Sequence, residues 1–142
     1  MRYLLDTSIW LRLSREPHTL PEACRALLLA EPQVGLSAVS LREVAWKAAH
    51  GRLDLGQPTL DWFYSALTSQ LVILPLTPEI AAKSASLEAF PVDDPYDQMI
   101  VATARQHGLT VLTSDRAWRQ YPHANILYYK PILARADASE QS

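Results

Sequence analysis

Apolar and polar positions alternate along this chain in blocks of two kinds. Short unbroken apolar runs are separated by longer stretches in which apolar residues recur at helical spacing. That alternation predicts strands and helices in turn, the pattern of an α/β fold with a parallel sheet. Tyr3-Leu4-Leu5 reads as a first strand ending at Asp6-Thr7-Ser8, with a helix following through Ile9-Trp10-Leu11. A helix over 21–30 precedes a second strand at Val34-Gly35-Leu36. Ser37 or Ser40 can cap the next helix, which runs through Leu41, Val44, Ala45 and Ala48 and stops at Gly51. A helix over 60–70 leads into Leu71-Val72-Ile73-Leu74, and Pro78 opens a helix that Pro91 closes. The best-marked helix has Asp94 as N-cap, Pro95 at its first position and Gly108 as terminator. A fourth strand at Thr110-Val111-Leu112-Thr113 ends at Ser114-Asp115, and a fifth covers 125–129. Strands apolar on both faces need helices on both sides. The expected architecture is a three-layer α/β/α sandwich with about five parallel strands.

Length and charge narrow the picture. A chain of 142 residues suits one core. We expect a single domain over residues 1–130 and a small, polar, partly disordered tail over 131–142. No apolar run is long enough to span a bilayer, and Asp6 interrupts what would otherwise resemble a leader, so the start reads as folded structure. Cys24 has no second cysteine to pair with, which points to a reducing cytoplasm. The 15 acids and 13 Lys plus Arg leave a charge of -2, which at first argues against a nucleic-acid partner.

In open parallel sheets, ligands bind beyond the carboxyl ends of the strands, so the acids there are the ones to inspect. Asp6 closes the first strand and Asp115 follows the fourth. Glu43 lies early in the helix after the second strand, and Asp97 lies in the first turn of the helix before the fourth. Like charges gathered on one rim raise one another's pKa, and a shared cation relieves that repulsion. An all-oxygen donor set suits Mg²⁺ or Mn²⁺ and not zinc. Each acid also has a plainer reading. Asp6 and Asp115 can cap the helices after them, and Ser40-Leu41-Arg42-Glu43 matches a capping box, which fails if Ser37 is the true cap. Asp94 reads as a cap and Asp93 as a solvated loop acid. Capping does not explain why four such acids share one rim. Taking those four out leaves 11 acids against 13 bases, so the overall charge no longer excludes RNA.

The surroundings of these acids resemble a known family. Leu4-Leu5-Asp6-Thr7-Ser8, Ser37 through Ala45, Asp94-Pro95-Tyr96-Asp97-Gln98-Met99-Ile100-Val101-Ala102 and Leu112-Thr113-Ser114-Asp115 occur in that order. The set resembles the PIN-domain ribonucleases, and within them the VapC-type toxins of type II toxin–antitoxin systems. Lys47, Gly51, Arg52 and Leu53 also resemble a Lys-x-x-x-Gly-Arg-Leu segment found in a subgroup. The resemblance implies a five-stranded parallel sheet and Mg²⁺- or Mn²⁺-dependent hydrolysis of RNA by an activated water. It places the metal-binding acids on Asp6, Glu43, Asp97 and Asp115 and an assisting hydroxyl on Ser8 or Thr113. Ser8 stands where many relatives carry Asn, and Gln98 where Arg is frequent. Expected partners are RNA, a cognate antitoxin and a second copy of the chain, with no membrane.

Among the bases, Lys47 and Arg116 are the first candidates to grip the RNA backbone. The general base would be Asp97 or Glu43. His18, His50, His107 and His123 read as surface or capping residues. Trp10, Trp62 and Trp118 suit a core or an interface, while Trp46 neighbours Glu43 at helical spacing. Trp10, Leu11 and Leu13 are candidates for an apolar contribution to the antitoxin or the dimer interface. Three alternatives compete. A haloacid-dehalogenase phosphatase would need a second Asp where Ser8 stands, and no phosphate loop of the Gly-Lys-Ser/Thr kind exists. A PIN fold could also process RNA without an antitoxin, or bind without catalysis.

Overall fold

The computed structural model describes residues 1–133. Its eleven regular elements follow the predicted alternation: β1 Tyr3–Leu5, α1 Thr7–Arg15, α2 Glu22–Ala30, β2 Val34–Ser37, α3 Ala38–Ala49, α4 Thr59–Ala66, β3 Leu71–Leu74, α5 Pro78–Ser84, α6 Pro95–His107, β4 Thr110–Thr113 and β5 Ile126–Tyr128. Short 3-10 turns occupy Pro17–Thr19 and Arg116–Trp118. The five strands form one all-parallel sheet in the order β3-β2-β1-β4-β5. Side chains alternate across it as the pleat requires. Leu5 and Leu112 face a core with Trp10, Leu28 and Trp62, whereas Leu4 and Val111 face one with Ile100, Val101 and Trp118. The two cores on opposite faces make the α/β/α sandwich expected from strands that are apolar on both sides.

Several boundaries differ from the expected ones for physical reasons. Ser37, not Ser40, caps α3, its hydroxyl accepting the Val39 N–H at 3.2 Å. Glu43 therefore lies in the second turn and the capping box does not form. Helix α4 stops at Ala66, because Thr68 and Gln70 must turn the chain into β3. Helix α5 ends at Ser84 instead of continuing to Pro91, and Ala89 in the following loop has φ +48°. Trp10 is fully buried in the core, which removes it from any partner surface. Past the expected domain end, the Ile132 N–H donates to the Thr19 carbonyl at 2.7 Å. The tail expected over 131–142 otherwise lies, from 134 onward, outside the described residues. Among the described residues no helix is long and apolar enough to cross a membrane.

The strand order matters for chemistry. From β1 the chain winds outward through β2 to β3, then crosses to the other side for β4 and β5. The winding direction thus changes between β1 and β4, the place where an open α/β sheet leaves a crevice beyond its carboxyl edge. Asp6 and Asp115 follow those two strands.

Candidate active site

Asp6 sits at the N-cap position of α1, yet its side chain makes no capping bond. The carboxylate is almost fully buried, and its Oδ2 accepts hydrogen bonds from Thr113 Oγ1 at 2.8 Å and Ser8 Oγ at 2.9 Å. Both donors are themselves held. Thr113 Oγ1 accepts the Asp115 N–H at 2.9 Å, and Ser8 Oγ accepts from Ser114 Oγ at 2.8 Å. A network of hydroxyls thereby ties the end of β1 to the end of β4. Burial pushes the Asp6 carboxyl up to about 6 against the pull of the two hydroxyls, and the nearby Glu43 charge adds to the rise. The shorter reach of Ser8, relative to Asn, still meets Asp6.

Glu43 is brought in by α3, which is locked to α1 by a buried pair of hydroxyls, Thr7 Oγ1 and Ser40 Oγ, 2.8 Å apart. Its Oε2 receives Lys47 Nζ at 2.9 Å across one helical turn. Its Oε1 is buried with no hydrogen-bond partner. Asp97 enters from the first turn of α6. The Asp94 cap there accepts the Tyr96 and Asp97 N–H groups at 2.8 and 3.3 Å, so Asp94 has the capping role expected of it. Half-buried Asp97 has its carboxyl raised to about 8, by burial first and then by the charges of Asp6, Asp94, Glu43 and Asp115. Asp115 caps the turn after β4 by accepting the Ala117 N–H at 2.9 Å. Its plainer reading thus holds for one oxygen, while its charge still reaches Asp97.

The four acids are therefore electrostatic neighbours, but not a closed cage. Among the described residues no three His, Cys, Asp or Glu side chains are placed to enclose a metal ion as they stand. The residues nonetheless fit a hard divalent cation: all donors are carboxylate oxygens, and Glu43 Oε1 is a buried oxygen without a partner. Sequence reasoning missed Thr7, Ser40 and Ser114, whose hydroxyls find their partners only after folding. Lys47 is engaged by Glu43, and Arg116 is exposed beside Asp115.

A profile of the PIN domain family matches residues 3–124. The chain belongs to the PIN domain family. This PIN domain is 32% identical over 120 residues to Ribonuclease VapC22 of Mycobacterium tuberculosis, covering 84% of this chain and 92% of that protein. Among solved structures, VapBC from Salmonella typhimurium bound to DNA aligns with TM-score 0.66 and 25% identity, over 90% of this chain and 98% of that one. VapBC2 from Rickettsia felis, bound to a promoter DNA fragment, aligns with TM-score 0.68 over 91% and 99% of the two chains. At 17% identity, that second likeness speaks for the fold alone.

Proposed function

We propose that this PIN domain is a Mg²⁺- or Mn²⁺-dependent endoribonuclease and the toxin of a VapBC-type pair. The observation that carries the reading is the gathering of Asp6, Glu43, Asp97 and Asp115 at the topological switch point, with one Glu43 oxygen buried and unsatisfied. These four side chains would hold the cation. When bound, the cation supplies charge neutralisation at the scissile phosphate and acidifies an attacking water. The chain's own groups do the rest. Thr113 and Ser8 fix the Asp6 carboxylate through two donated hydrogen bonds, so it needs little reorganisation. Lys47 steadies Glu43 and occupies one of its oxygens. Asp97, with no side-chain bond to its carboxylate among the described residues, is the better placed of the two candidate bases to take the proton of a water. Arg116, exposed beside Asp115, is a candidate contact for an RNA phosphate.

The antitoxin reading rests on the solved relatives, one of them named as a toxin–antitoxin complex from Klebsiella pneumoniae and another as VapBC bound to DNA, and on an apolar-lined hollow. A hollow of about 450 Å³ lies between α1 and α2, lined by Leu13, Pro17, Leu28 and the exposed Leu29. A second copy of the chain completes the expected assembly. The decisive experiment is cleavage of single-stranded RNA with Mg²⁺ or Mn²⁺. Asp6→Asn should abolish cleavage while circular dichroism shows an unchanged fold; full activity in that variant would sink the assignment.

A further inference from the structure

The helix that carries Glu43 continues into a feature that the catalytic acids do not use. Glu43, Trp46, Lys47 and His50 lie at helical spacing along one stripe of α3. At 1.5 Å of rise per residue, Trp46 is one turn and His50 about two turns beyond the acid. The Trp46 and His50 rings stack with centroids 4.1 Å apart and planes at 19°. The His50 Nδ1 lies 2.8 Å from the Trp46 carbonyl oxygen, which fixes the imidazole in that stack. Arg52 then returns over the same indole, its guanidinium carbon 4.9 Å from the ring centroid.

Backbone geometry explains how Arg52 reaches this place. Gly51 has φ +69°, in the left-handed region. The Arg52 N–H donates to the Lys47 carbonyl at 2.9 Å and the Gly51 N–H to the Ala48 carbonyl at 3.4 Å. These are the two bonds of a Schellman termination, with Lys47, Gly51 and Arg52 at its defining positions. The spacing from Lys47 to Gly51 and Arg52 is thus the spacing that folds an arginine back onto the last turns of α3. Among the described residues no carboxylate pairs with Arg52, which is exposed. Lys47, the other cation on the stripe, is engaged by Glu43.

We infer that Trp46, His50 and Arg52 form a substrate-binding platform, on which Arg52 takes an RNA phosphate on the flank of the acidic site and Trp46 positions it. The inference rests on the endoribonuclease reading above. A guanidinium held over an indole is pre-oriented, loses little freedom on binding, and offers its donors to phosphate oxygens. The acids repel the RNA backbone, so a cation without a carboxylate partner beside them sets where the strand can approach.

The test uses the full chain carrying Asp6→Asn, so that bound RNA survives, and a short fluorescein-labelled single-stranded RNA read by anisotropy. Arg52→Ala should weaken binding about five- to tenfold and lower the salt slope by about one phosphate contact, with Arg52→Lys in between. In the active chain the same substitution should act more on KM than on kcat. Trp10, Trp62 and Trp118 are buried, so RNA should quench fluorescence mainly from Trp46, and Trp46→Phe should remove that quench. Unchanged affinity and salt slope in Arg52→Ala, while the unsubstituted protein cleaves RNA, would overturn this inference alone. So would a lowered melting temperature with no change in binding. If the unsubstituted protein cleaves no RNA with either cation, the endoribonuclease reading fails and takes this inference with it.

Discussion

Replacing Asp97 by Asn should make the cation-free protein more stable at neutral and alkaline pH. The Asp97 carboxyl rises from 3.8 to about 8 on folding, because burial and four neighbouring carboxylates oppose its charge. A raised folded-state pKa means that the native state binds the proton more tightly than the unfolded chain does. The stability that proton confers is complete below about pH 4 and is lost progressively as pH rises to about 8. Taken at face value, the interval corresponds to a ceiling of about 6 kcal/mol, at 1.36 kcal/mol per pH unit. Asp97 is only half-buried, so solvent screening brings the expected effect to about 1–3 kcal/mol. For a chain of this length that corresponds to roughly 3–10 °C in melting temperature. The assay is thermal unfolding in EDTA from about pH 4 to pH 9. The two proteins should coincide near pH 4, separate as pH rises, and run parallel above about pH 8, with Asp97→Asn on top. Added Mg²⁺ or Mn²⁺ should stabilise the unsubstituted protein by mass action and the variant much less. Parallel curves over the whole range, or a variant less stable at pH 8, would refute the electrostatic reasoning. Asp6, raised to about 6, contributes with the same sign over a lower range, between about pH 4 and pH 6.

Three further outcomes follow from the hydroxyl and lysine contacts. Thr113→Val removes a donor to Asp6 and the acceptor of the Asp115 N–H, so it should cost about 1–3 kcal/mol in denaturant unfolding and most of the cleavage rate, with Thr113→Ser milder. Ser40→Ala strands the buried Thr7 hydroxyl and should cost a similar amount. Adding Thr7→Val to it should recover part of the loss, as a double-mutant cycle would show. Lys47→Ala leaves Glu43 buried without its partner and should lower cation-free stability by about 1–2 kcal/mol, less than a fully buried pair because Lys47 is partly exposed. Added cation should restore more of that loss than it adds to the unsubstituted protein.

Much of the fold could be read from the chain because local signals agreed. The apolar runs at Leu4-Leu5 and Val111-Leu112 marked buried strands, and Asp94-Pro95 with Gly108 bounded α6 where the structure has it. The acids were found through strand ends, a rule of topology and not of propensity. What escaped was decided by tertiary contacts. Ser37 and Ser40 are equivalent as local caps; pairing of Ser37 with Leu74 keeps it at the end of β2, starts α3 there and leaves Ser40 to face Thr7. Ser114 reads as a loop residue until β4 lies beside β1. The Lys47, Gly51 and Arg52 spacing was visible as a pattern, but its meaning needed the left-handed turn and the indole beneath it.

The bond between Thr113 and Asp6 joins residues 107 positions apart. β1 is flanked by β4, which is made long after it, and the Asp6 N–H itself donates to the Leu112 carbonyl at 2.9 Å. A chain still being synthesised therefore carries Asp6 and Glu43 without the strand that orients the first. No truncated product ending before β4 can assemble the centre, however well its earlier helices form. If the centre cleaves RNA as proposed, the ribosome and message that produce this chain are out of its reach by topology until β4 has been made.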